Sequence, residues 1–151
     1  MFVSDEKIDY SFLIDDLNDL LQWHLDVIEG YNSAEEKARS DELKENIQRW
    51  RDENRDEIAA LGKLIESYGG TPRSKPDLSA LTNRLRVAVT QVFRDAGLVD
   101  ALLKNESKLL LEYERSLKSL AELPGMSEQI EANYQTVQTR VEQLTELDKA
   151  G

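Results

Sequence analysis

Residues 13–34, LIDDLNDLLQWHLDVIEGYNSA, decide the fold. Through this stretch and just beyond it, Leu13, Leu17, Leu20, His24, Val27, Tyr31, Ala34 and Ala38 step alternately by four and three. That spacing lays one continuous stripe along a helix, the seam of a helix packed lengthwise against neighbours. A second segment has the same rhythm in Leu43, Ile47, Trp50, Asn54, Glu57, Leu61, Leu64 and Tyr68. Ser40 offers it an N-cap, and Asp41 and Glu42 an acidic first turn. Only a short link around Arg39 and Ser40 joins the two segments, so they pair antiparallel.

The second half repeats the arrangement. Val99, Leu103, Glu106, Leu110, Tyr113, Leu117 and Leu120 make one stripe, and Ile130, Tyr134, Val137, Val141 and Leu144 another. The breakers fall between these segments: Gly69-Gly70-Thr71-Pro72 stops the second, and Pro124-Gly125 separates the last two. No alternating run bounded by hairpin turns suggests a strand. The connection from Thr71 to Gly97 carries its own amphipathic piece, Leu78, Leu81, Leu85, Val89 and Val92. The expected architecture is all-α, one domain over residues 1–151, with helices near 10–38, 41–68, 78–94, 98–121 and 126–149. Two antiparallel hairpins joined by a long crossover with an extra helix make the ferritin-like form of a four-helix bundle. A plain up-down-up-down bundle is the competing topology.

Composition narrows the function. The chain has 151 residues, 30 acids against 19 bases and a net charge of -11, which argues against a nucleic-acid partner. There is no cysteine, which removes disulfides, thiolate metal sites and cysteine nucleophiles. No run approaches the roughly 18 apolar residues of a membrane span, and the N-terminus lacks a secretory pattern. A cytoplasmic location with no membrane partner is expected.

The informative feature is the set of polar residues that interrupt the stripes. His24, the only histidine, sits among Leu20, Leu21, Val27 and Ile28. Folding the first hairpin at Arg39 and Ser40 sets His24 opposite Glu57 and Val27 opposite Asn54. Glu106 falls at a similar height on the third long helix. A polar layer of His24, Asn54, Glu57 and Glu106 is therefore expected, with Tyr31 and Tyr113 at its edges. Such a layer either fixes register, with Glu57 accepting a hydrogen bond from His24, or binds iron or manganese through His24, Glu57 and Glu106. A full di-iron bundle uses Glu-x-x-His on two helices plus two further glutamates. This chain has no Glu-x-x-His, and Glu128, Glu131 and Glu142 lie off the last stripe.

Other chemistries find less support. Gly69-Gly70 is followed by no Gly-Lys-Ser/Thr, so it is no phosphate loop. A serine triad would need His24 from inside a seam. Trp50 lies on a seam and is expected in the core. Trp23 lies off it and is expected against the crossover or a second subunit.

With these elements in place, the chain resembles the bacterial ferritin-like proteins classed as a domain of unknown function. The resemblance rests on Leu17-Asn18-Asp19-Leu20, Glu29-Gly30-Tyr31, Gly69-Gly70-Thr71-Pro72, and Glu106 followed by Tyr113. It implies a cytoplasmic, ferritin-like bundle with a loose link to stress or stationary phase, and it supplies no reaction. Where the family pattern implies a further glutamate one turn before Glu106, this chain has Leu103. The expected function is non-enzymatic, through a homodimer or a protein partner, with Trp23 or Phe93 in the contact. Divalent iron or manganese at a degenerate carboxylate site is the alternative. A small-ligand carrier with an apolar cavity between the hairpins is a third.

Overall fold

The structure, a computed structural model, describes residues 9–76, 94–120, 123 and 125–150. Four helices carry it: α1 Ser11–Lys37, α2 Asp41–Ser67, α3 Asp95–Leu120 and α4 Met126–Ala150. Among the described residues there is no strand, and no helix is long and apolar enough to cross a membrane. The extra helix expected over 78–94 lies outside the described residues, apart from Arg94.

Each helix begins and ends for local reasons. Ser40 caps α2, its Oγ accepting from the Leu43 N–H at 3.0 Å. The other end of α2 closes in a Schellman turn: the Gly69 N–H donates to Glu66 O and the Gly70 N–H to Ile65 O. Gly69 holds φ +85° there, a conformation that suits glycine. Gly70 follows because a Cβ would lie 2.6 Å from the Ile14 side chain. The third long helix starts at Asp95, before the expected 98, and Gly97 lies in its first turn. That turn's N–H groups need no intrahelical partner, so glycine does not break it.

The direction of α3 decides the topology. Both oxygens of Asp95 accept backbone N–H groups from the α1–α2 turn, Arg39 and Ser40, at 2.9 Å each. Burial pushes the Asp95 carboxyl up, but these two bonds outweigh it and hold it below its ordinary value. The start of α3 is therefore pinned beside the start of α2, and the two helices run the same way. An up-down-up-down bundle would make them antiparallel, so the ferritin-like crossover is the topology found. In it α1 packs on α2 and α3, and α4 on α3 and α2.

The crossover leaves along α1. Asn18 grips its backbone, donating to Thr71 O at 3.1 Å and accepting from the Arg73 N–H at 2.9 Å. One turn later Gln22 donates to Lys75 O at 3.2 Å.

All eight stripe residues, seven in α1 and Ala38 just past its end, are buried. On the other helices the buried line differs in places from the expected one. Ile65 is buried where Leu64 was expected, and Leu102, Leu109 and Ser116 are buried while Leu103, Leu110 and Leu117 are half-buried. On α4 the buried line is Met126, Ile130, Asn133, Val137, Arg140 and Leu144. Trp50 is fully buried as expected, and Trp23 is half-buried against the core.

Candidate functional site

Halfway along the bundle each helix contributes two inward polar residues. They are His24 and Tyr31 from α1, Asn54 and Glu57 from α2, Glu106 and Tyr113 from α3, and Asn133 and Arg140 from α4. On three helices the pair is two turns apart, so both members point the same way. His24, Glu57 and Glu106, the three residues singled out in the sequence, all stand in this layer.

Arg140 is its centre. It is 0 % exposed and reaches across from α4 between the two carboxylates. Nη1 and Nη2 form a fork on Glu57 at 2.7 and 2.8 Å. Nε and Nη2 form a second fork on Glu106 at 2.9 and 3.1 Å. A fifth contact runs from Nη1 to Glu53 at 3.4 Å. A guanidinium has five N–H donors, so this one is fully engaged.

The carboxylates are held from other sides as well. Glu106 Oε1 also accepts from Tyr31 Oη at 2.6 Å and Asn54 Nδ2 at 3.0 Å. Asn54 Nδ2 is itself oriented by Trp50 O at 2.9 Å. Burial lifts Glu106, yet the adjoining guanidinium, Tyr31 and Asn54 hold it below the ordinary carboxylate value. Glu57 goes the other way. Burial pushes it up to about 7 against the pull of Arg140, and the charges of Glu106 and Glu53 add to the rise. Arg140 stays charged: burial works against it, but the two carboxylates outweigh that.

His24 does not pair with Glu57 as the hairpin folding suggested. The nearest approach is 3.7 Å, beyond a hydrogen bond. Nδ1 lies 2.7 Å from Asn54 Oδ1 instead, and Nε2 lies 2.5 Å from Tyr113 Oη. The Asn54 amide, oriented by its own two donations, presents an acceptor to His24. Nδ1 therefore carries the hydrogen, and Nε2 accepts from the phenol. The phenol in turn accepts from Asn133 Nδ2 at 3.1 Å. Burial holds His24 down to about 4, with the Asn54 hydrogen bond opposing, so the ring is neutral near pH 7. Tyr31 and Tyr113 are pushed above the ordinary phenol value, first by burial and then by Glu106 and Glu57 respectively. Both stand inside the layer rather than at its edges.

This donor set does not fit a dimetal carboxylate centre. The imidazole has both nitrogens in use, each carboxylate accepts from one guanidinium, and a permanent cation occupies the middle. Among the described residues no three His, Asp or Glu side chains are grouped to hold a metal ion. At this height Arg140, Tyr31, Tyr113 and Trp50 are all fully buried.

Asn133 and Arg140 were missed in the sequence although a signal was present. Continuing the four-and-three step from Ile130 lands on Asn133, Val137 and Arg140. The neighbouring apolar residues Tyr134 and Val141 drew the stripe one position aside. Two buried glutamates with no buried cation opposite was the second clue.

Among curated proteins none matches this chain in sequence. In three dimensions it is similar to a protein from Bacillus anthracis str. Ames, solved as a "ferritin like, diiron-carboxylate" protein. The TM-score is 0.73 at 20 % identity, over 96 % of this chain and 99 % of that one. At that identity the likeness concerns the fold. Residues 13–119 match the family model described as "Domain of unknown function (DUF2383)". Over that span lie the turn glycines, the Asn18 grip and three of the four helices that build the Arg140 layer, and the chain belongs to that family.

Proposed function

We propose that this protein is a non-enzymatic ferritin-like bundle that acts through its surface, by pairing with a second copy or by binding another protein. The observation that supports this reading is the saturation of the interior layer by Arg140. Every donor of the guanidinium has an acceptor, and both forks close on carboxylates that a metal would need. Work done inside the bundle would begin by breaking that network. On the outside, Phe12 is 72 % exposed and Leu111 60 % exposed, apolar area available to a contact. The dimer contact expected at Trp23 has less to offer, because Trp23 already packs on the core; Phe93 lies outside the described residues.

The alternative is iron or manganese bound or oxidised at a reduced carboxylate site. It draws on the likeness to a protein described as diiron-carboxylate. Two measurements separate the readings. Tag-free protein is loaded anaerobically with Fe(II) or Mn(II), desalted and analysed for metal beside Glu57→Gln. Light scattering across a concentration series gives the mass. The surface reading expects negligible metal in both proteins and a mass that rises towards the dimer. Near-stoichiometric metal in the parent, lost in Glu57→Gln, would replace it with the metal reading.

A further inference from the structure

We infer that the partner at the surface is a second copy of this chain, docked antiparallel on the outer face of α3 about a twofold axis at Leu110. The inference rests on the reading of the protein as a surface-acting bundle and deepens it, by placing the contact and its register.

A second line of residues along α3 carries it. Beside the buried line, Asp100, Leu103, Ser107, Leu110, Glu114 and Leu117 step by three and four, the spacing of a helix-packing seam. One bundle uses this line only in part: its three leucines are half-buried against the core. Leu111, next to Leu110, is 60 % exposed. From Leu103 to Leu117 the strip runs roughly 21 Å along the helix. Tyr134 of α4 flanks it, its Oη donating to Glu114 at 3.4 Å. A continuous apolar strip with a polar border is the mark of a protein contact.

The order of residues on the line selects the occupant. Its acid, Asp100, stands at one end and a base, Lys118, at the other, with the leucines between. Reversed, the line is complementary to itself. A twofold axis at Leu110 sets Leu103 on Leu117 of the second copy. It brings Ser107 beside Glu114, where a hydroxyl can donate to a carboxylate, and Asp100 within a turn of Lys118. Every such contact occurs twice, and the pair closes. A parallel pair would instead set Asp100, Glu114 and Lys118 each on its own copy, like charge on like. Asp100 already meets Lys104 at 3.1 Å, but an exposed i,i+4 pair is weak enough to be shared.

The test uses the full-length chain, which has no cysteine of its own. Sedimentation equilibrium gives the dimer Kd for the parent, Leu111→Glu, Asp100→Lys and Asp100→Lys/Lys118→Asp. All of these changes lie outside the buried line, and circular dichroism checks the fold. The parent is expected to dimerise, and Leu111→Glu to raise Kd by about tenfold or more. Asp100→Lys should raise it by about 3- to 10-fold, and adding Lys118→Asp should restore it. Leu103→Cys and Leu117→Cys then check the register. Oxidised separately they should stay unlinked, since each thiol lies roughly 21 Å from its own mate. Mixed, they should give a disulfide-linked dimer. A parent that stays monomeric at millimolar concentration would overturn the proposal and leave the surface reading to another protein. A dimer unmoved by Leu111→Glu and Asp100→Lys, or one that links through Leu103→Cys alone, would also overturn it, though not pairing as such. Metal uptake by the parent counts against the surface reading itself and is measured separately.

Discussion

The two ends of the bundle and its middle are held by different physics. At one end Leu13, Leu17, Leu61, Ile65, Leu120, Met126 and Ile130 pack together. At the other, Ala34, Leu43, Ile47, Leu98, Val99 and Leu144 do the same. These layers stabilise by removing apolar surface from water, a non-directional gain that tolerates a helix sliding along its neighbour. The middle tolerates no such slide. Moving α4 by one turn would take Arg140 out of both forks and leave two buried carboxylates without a cation. The ends supply stability, and the middle selects one register.

The largest effect is expected from Arg140→Met, which removes the cation from the middle layer. It should cost about 3–5 kcal/mol, because it leaves Glu57 and Glu106 buried and uncompensated. Leu17→Ala at an apolar end should cost a similar 2–5 kcal/mol through its cavity. The two differ in rescue: adding Glu57→Gln and Glu106→Gln to Arg140→Met should restore most of the lost stability, measured by urea unfolding. If the triple variant is as unstable as the single one, the charge argument fails.

A second test uses pH. His24 is held down to about 4 in the folded protein against an ordinary 6.5. Its contribution is present above pH 6.5 and lost as the pH falls towards 4. Glu57, lifted to about 7 from 4.5, has the opposite sense: its contribution is present below pH 4.5 and lost as the pH rises through 7. The two oppose each other between pH 5 and 6.5. His24→Gln removes the first and leaves the second, so the variant should lose stability as the pH rises over that range, by on the order of 1–2 kcal/mol. Unfolding free energies at the two pH values check it, and a rise would contradict the assignment.

The smallest effect is expected outside the core layers. Asn18→Ala removes the two bonds that tie Thr71 and Arg73 to α1 and should cost about 1 kcal/mol. Amide exchange should speed up at Arg73 far more than at Val27. Equal acceleration at both would mean that the grip supports the whole bundle.

How much of this was legible differs helix by helix. The α1 register could be read outright, because its stripe is unbroken from Leu13 to Ala38 except for His24, whereas the neighbouring line through Ile14, Leu21, Leu25 and Ile28 is interrupted at Asn18 and stops at Asn32. The cap at Ser40 and the turn at Gly69 were legible for the same local reason. On α4 the correct line passes through Asn133 and Arg140, and hydropathy favours Tyr134 and Val141 beside them. Periodicity ranks positions by polarity, so it misplaces a helix whose buried face includes a charge. On α3 the half-buried Leu103, Leu110 and Leu117 pulled the line sideways in the same way.

Local sequence was enough to set the four long helices, their ends apart from the start of α3, and the presence of a polar layer containing His24, Glu57 and Glu106. These follow from backbone sterics, capping and the period of apolar residues, all of which act over a few positions along the chain. The tertiary structure alone decided that Asp95 ties α3 to the α1–α2 turn and that Asn54, not Glu57, bonds His24. It also decided that Arg140 lies between the two carboxylates. Each of these is a pairing between residues far apart in sequence, and its geometry exists only once all four helices have packed.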